Sequence, residues 1–92
     1  MKNLQDNIIA RIQLMESYFD QLRYAVQISP ESIASDETLL AMLHAITDYY
    51  EGGQWLEDYD RDANGELPIW LKRGVLSQDG VYELLDEIKI PR

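Results

Sequence analysis

A single stripe of apolar residues runs through the first third of this 92-residue chain. Its members recur at intervals of three and four, which is the repeat of one helix face: Leu4, Ile8, Ile12, Met15, Phe19, Leu22 and Val26. Proline disfavours helical geometry in the residue before it, so Ser29-Pro30 ends the pattern. The stripe predicts a helix over Leu4 to Gln27, about 36 Å long at 1.5 Å per residue.

Two further stretches carry the same repeat. Asp36 to Tyr50 is followed by Gly52-Gly53, a typical helix stop, and Gln78 to Ile88 is followed by Pro91. No segment shows the two-residue alternation of a half-buried strand. The sequence therefore predicts an all-α fold, a small helical bundle of three main helices, as one domain over residues 1–92.

A compact, irregular, acidic insert is predicted before the last helix, over Gly53 to Leu71. Only one or two helical turns are expected in it, within Gln54 to Asp62. A segment with little regular structure needs large side chains to reach the core. Trp70 is therefore expected to be largely buried and Trp55 at least half buried.

The net charge of −9 is concentrated in one part of the chain. Between Glu31 and Glu66, ten acidic residues face only Arg61. Such an excess disfavours nucleic acid and anionic membrane as partners. With no cysteine, disulfides and thiolate metal sites are excluded. No apolar run suits a membrane span or a secretory signal, and no cofactor is indicated, so a cytoplasmic protein is expected.

The sharpest motif is the acidic run from Asp60 to Leu67. Calcium loops of the EF-hand type place oxygen ligands at their first, third and fifth positions and glycine at the sixth. Asp60, Asp62, Asn64 and Gly65 satisfy that order, but the twelfth position, which needs a bidentate glutamate, is Leu71. We favour an acidic turn here. A weak divalent-cation site using Asp60, Asp62, Asn64 and Glu66 is the alternative.

No catalytic grouping can be named. His44 is the only histidine, and no serine or threonine is placed with it in a recognisable nucleophile–base pattern. The carboxylates are many, but no spacing selects an acid–base pair among them. The chain is therefore expected not to be an enzyme.

The second half resembles a family of small bacterial proteins called domain of unknown function 4298. The resemblance rests on Asp48-Tyr49-Tyr50, Gln54-Trp55, Asp58-Tyr59 and the run from Leu67 to Leu85 that contains LKRGVLS. It implies a long first helix followed by a tyrosine pair, a tryptophan, an acidic patch and a short last helix. It also implies a bacterial protein, and it carries no activity to transfer.

These observations favour a non-enzymatic module that acts through protein–protein contact. The second and third helices are too short to cover the first, so an uncovered apolar patch is expected at Ile8, Ile9, Ile12 and Met15, with Trp55 as a further contact residue. A homodimer with antiparallel first helices would cover that patch. The insert folding back over it would instead leave a monomer. An acidic decoy of a basic nucleic-acid-binding or toxin protein is a further alternative.

Overall fold

The computed structural model describes residues 4–77 and 79–88. They form α1 (Leu4–Ile28), α2 (Ser32–Ser35), α3 (Glu37–Glu51), α4 (Gln54–Ala63), a 3-10 turn (Gly74–Leu76) and α5 (Gly80–Glu87). The described residues contain no strand. The prediction of a small all-α fold is confirmed.

The bounds of the first two predicted helices are nearly correct. α1 ends one residue beyond Gln27, and α3 begins directly after Asp36. Asp36 is the N-cap, and its carboxylate accepts hydrogen bonds from the backbone N–H groups of Thr38 at 2.9 Å and Leu39 at 3.1 Å. The predicted start of the third helix, Gln78, lies outside the described residues, and α5 is described from Gly80.

The first half of the predicted insert is a regular helix, α4, rather than one or two turns. Gly53, with a φ of 96°, turns the chain between α3 and α4 in a conformation that glycine adopts without steric cost. Trp55 and Asp58 lie on the buried side of α4, whereas Glu57 and Asp60 are exposed. The buried carboxylate of Asp58 breaks the apolar repeat, which explains why the sequence pattern underestimates this helix.

The inner face of α1 is covered within the single chain. Ile8, Ile12 and Met15 are buried, and Ile9 packs partly buried against the same core. The expectation of an uncovered apolar patch at these residues is therefore wrong. Within the chain the insert folds back onto α1, as the alternative expects: Arg11 binds Asp58 of α4, and Leu67 and Leu71 join the core.

The core is one cluster that draws on every element. α1 contacts α2, α3, the 3-10 turn and α5, so the other elements are arranged around it. Its 25 residues give a length of about 37 Å, close to the longest dimension of the molecule, 39 Å. No helix among the described residues is long and apolar enough to cross a membrane.

Candidate functional site

Asp58 of α4 is a charged residue with no exposed surface. Its Oδ1 accepts hydrogen bonds from Nη2 of Arg11 at 2.6 Å and from Nη1 of Arg61 at 2.9 Å. Its Oδ2 accepts from Nε of Arg11 at 3.0 Å and from the hydroxyl of Tyr49 at 2.6 Å. One carboxylate therefore joins α1, α3 and α4.

The protonation states around Asp58 follow from these contacts. The hydrogen bond to Asp58 raises the pKa of Arg11 above its usual value. Burial, and then the hydrogen bond to Asp58, raise the pKa of Tyr49 well above that of a free tyrosine. Arg11 is therefore charged and Tyr49 neutral at neutral pH. All buried side-chain nitrogen and oxygen atoms of the described residues have a hydrogen-bond partner.

A second buried contact holds the 3-10 turn. The backbone N–H of Val75 donates to Oε1 of Glu16 at 2.7 Å, and the carbonyl oxygen of Val75 accepts from Nε1 of Trp55 at 2.8 Å. A Cβ at Gly74 would lie 3.1 Å from Oε2 of Glu16, so glycine leaves room for this carboxylate. Gly74 and Val75 of the LKRGVLS run thus form the point at which α1 and α4 contact the last third of the chain through hydrogen bonds.

Arg73 organises the loop from Glu66 to Lys72. Its guanidinium pairs with Asp62 and donates to the carbonyl oxygens of Pro68 and Ile69. This ion pair joins the basic Lys72-Arg73 segment to the acidic end of α4. Five guanidinium N–H groups in a rigid fork suit the capture of several oxygens at once. The loop between the buried Leu67 and Leu71 is consequently held in one shape.

That loop presents two large apolar side chains to solvent. The exposed fraction is 97% for Ile69 and 67% for Trp70. The expectation that Trp70 is largely buried is wrong, because Leu67 and Leu71 already fill the core beneath the loop. The expectation for Trp55 is confirmed, at 8% exposed. Its ring stacks on Tyr59 at 5.1 Å between ring centroids and meets Tyr50 edge-on at 5.0 Å. Trp55 is thus a core residue, not a surface contact.

The acidic run does not form a calcium loop. Asp60 and Asp62 lie in the last turns of α4, and Asp62 is engaged by Arg73. After the helix, the N–H of Glu66 bonds the carbonyl oxygen of Arg61 at 2.9 Å, and the N–H of Gly65 bonds that of Asp62 at 3.0 Å. With Gly65 at a φ of 71°, this pair of bonds is a Schellman helix cap.

The candidate ligands of the alternative cation site are therefore spread over a helix end and its cap: Asp60, Asp62, Asn64 and Glu66. Among the described residues, no group of three or more histidine, aspartate or glutamate side chains is arranged to hold a metal ion.

The structure defines a small all-α domain. Arg11 and Glu16 of α1 bind α4 and the 3-10 turn, and Arg73 holds the loop before that turn against α4. The chain belongs to the family described as Domain of unknown function (DUF4298), whose model matches residues 12–90. The match takes in most of α1 as well as the second half of the chain. No curated protein and no solved structure matches it.

Proposed function

We propose that this chain is a non-enzymatic, cytoplasmic protein-interaction module whose contact centre is the Ile69–Trp70 pair. The observation that carries the proposal is the exposure of these two side chains on a loop that Arg73 and two buried leucines fix from below. Tryptophan is among the residues most enriched at the energetic centres of protein interfaces.

The ordering of this loop also favours binding. Association costs about 0.5–1.5 kcal/mol for each flexible side chain that must be immobilised, in addition to any loop ordering. Here the backbone of Pro68 and Ile69 already bonds Arg73 in the free chain, so a partner does not have to order it. A large apolar side chain on a fixed backbone is the arrangement that gives affinity at the lowest entropic cost.

The buried polar groups support a non-enzymatic role. Asp58, Tyr49 and Glu16 carry the chemistry that an acid–base site would need, yet each is bound to another group of the same chain. Arg11, Arg61 and the Val75 N–H occupy their hydrogen-bonding positions. Their contacts join α1, α3, α4 and the 3-10 turn.

Site-specific photo-crosslinking in the cell of origin tests the proposal. A benzophenone amino acid is placed at position 70, and a control is placed at position 82, where Tyr82 is comparably exposed on α5. We expect a discrete crosslinked species from position 70 that position 82 does not give. Ile69→Ser introduced into the position-70 variant should remove that species. The same products from both positions, or none from position 70, would contradict the proposal.

A further inference from the structure

The outer face of α1 carries almost no charge between residues 13 and 28. Six exposed side chains of α1 lie opposite its buried stripe: Gln13, Ser17, Asp20, Gln21, Tyr24 and Ile28. Asp20 is the charged residue in this set. Tyr24 and Ile28 are 66% and 65% exposed. A solvent-facing helix side poor in charge and containing tyrosine has the composition of an interface centre.

This face is continuous with Trp70. One groove lies between α1 and the loop, with Gln13 and Ser17 on one side and Trp70 and Lys72 on the other. A second groove lies beside Tyr24 and Ile28 and is closed by Leu39 of α3. Asp20 and Gln21 line both grooves. The surface therefore runs from Trp70 to Ile28, about 22 Å along α1 at 1.5 Å per residue, which is the length of a helix of about 15 residues.

The charge on this surface selects the partner. Within residues 4–77 and 79–88, the Asp20 carboxylate, midway along the face, makes no hydrogen bond or ion pair. Of the five lysine and arginine residues in that part of the chain, Arg11, Arg61 and Arg73 are used in ion pairs with Asp58 and Asp62. Lys72 stands at the Trp70 end of the face and Arg23 lies over the Phe19 ring, so Asp20 supplies the charge at the middle of the face, on a chain whose net charge is −9.

A second copy of the chain fits this face poorly. Two copies would each bring a charge of −9, and antiparallel pairing of the α1 outer faces about their midpoint would set one Asp20 near the other. Like charges at an interface oppose association. A cationic partner would instead be attracted by the Asp20 carboxylate at the middle of this face.

We propose that the surface from Trp70 to Ile28 binds a basic amphipathic helix of a partner protein. The apolar side of that helix contacts Trp70, Tyr24 and Ile28, and a lysine or arginine on it pairs with Asp20. This inference rests on the proposed interaction function and adds the chemical class of the partner.

The test uses a defined probe, an 18-residue helical peptide made of leucine on one face and lysine on the other, with a leucine/glutamate peptide of the same pattern as its counterpart. Calorimetry measures the binding of each to the full chain. Asp20→Lys is compared with Asp48→Lys, which makes the same charge change at an exposed position of α3. We expect Asp20→Lys and Tyr24→Ala each to weaken binding of the lysine peptide at least tenfold. Asp48→Lys should change it less than threefold.

Each other outcome overturns the inference. No binding of the lysine peptide, equal binding of the glutamate peptide, or equal losses in Asp20→Lys and Asp48→Lys would remove this partner class or this location. Sedimentation showing a dimer that Tyr24→Asp dissociates would assign the face to a second copy. Circular dichroism confirms that each variant is folded. If the position-70 crosslink persists while the peptide test fails, the interaction function stands and only the partner class falls.

Discussion

Asp58 places a buried carboxylate between α1, α3 and α4, where Arg11, Arg61 and Tyr49 donate hydrogen bonds to it. Removing the charge leaves Arg11 and Arg61 without their shared partner, and breaking a buried pair from one side typically costs about 3–5 kcal/mol. We therefore expect Asp58→Ala to lower the free energy of unfolding in urea by that amount. Asp60→Ala, an exposed change one half-turn further along α4, should stay within about 0.5 kcal/mol. Equal, small effects in both variants would show that the network contributes nothing.

Tyr49 makes the same network sensitive to alkali. Its pKa is raised in the folded chain, so folding favours the neutral hydroxyl. The stability that it contributes is complete below the usual tyrosine pKa of about 10 and is lost as the pH rises above that value, by up to about 1.4 kcal/mol per pH unit.

Tyr49→Phe separates this contribution from that of other groups. At pH 7 it should cost about 1.5–3 kcal/mol, the range for a hydrogen bond to a charged group. Between pH 10 and 11 its unfolding free energy should fall less steeply than that of the parent chain. Parallel slopes in the two proteins would assign the alkaline loss to other residues.

The two tryptophans should behave in opposite ways. Trp55 is buried, stacked and hydrogen-bonded, so Trp55→Ala should cost about 3–5 kcal/mol, as for large aromatic truncations in cores. Trp70 lies on the surface, so Trp70→Ala should cost less than about 1 kcal/mol. Acrylamide quenching checks their environments independently: fluorescence of the Trp55→Phe variant, which retains Trp70, should be quenched far more strongly than that of Trp70→Phe.

At the scale of the elements, the Glu16 carboxylate joins α1 to the 3-10 turn. Glu16→Ala should cost about 1–3 kcal/mol, because it leaves the buried N–H of Val75 without an acceptor. Gly74→Ala should also destabilise the fold, since its Cβ would crowd Oε2 of a Glu16 carboxylate whose Oε1 is held by the Val75 N–H. Because both changes act on one contact, the double variant should cost less than the sum of the two. Additive costs in urea unfolding would show that the two sites act independently.

The helices could be predicted from the sequence where one face is purely apolar. α1 and α3 follow that rule, and their bounds are within one or two residues of the prediction. α4 could not be predicted in full, because its inner face holds a charged residue whose partners come from elsewhere. Arg11 and Glu16 lie beside the apolar stripe of α1 and read as ordinary surface charges. Only the fold shows that Asp58 and Val75 are placed against them.

Which large apolar side chains are exposed follows less directly from the sequence than which helices form. The sequence predicts both Trp55 and Trp70 as aromatic anchors of the core. Trp70 is exposed because Leu67 and Leu71 fill the core beneath its loop, whereas Trp55 is buried. The cover of the α1 stripe has a related cause. Helix lengths alone leave part of α1 bare, whereas the 3-10 turn and α5, which follow α4, also contact it.

For the whole molecule, the excess of carboxylates predicts a stability that rises with salt. Asp58 and Asp62 form ion pairs with arginine, whereas most of the other acidic side chains of the described residues are exposed. Salt screens repulsion between exposed charges and affects buried pairs much less. The free energy of unfolding in urea should therefore increase between about 10 mM and 500 mM sodium chloride, over which the screening length falls from about 30 Å to below 10 Å. A decrease would mean that surface attractions dominate over repulsion.

The peptide group of Val75 has a consequence for the order in which the chain acquires its structure. Its partner in α1 lies 59 residues earlier and its partner in α4 lies 20 residues earlier. During synthesis, α1, α3 and α4 emerge first, but the N–H that Glu16 accepts from and the carbonyl oxygen that Trp55 donates to arrive only with Val75. α1, α3 and α4 can already meet through Asp58, but the contacts that Val75 makes with both α1 and α4 can form only after this later segment has been synthesised.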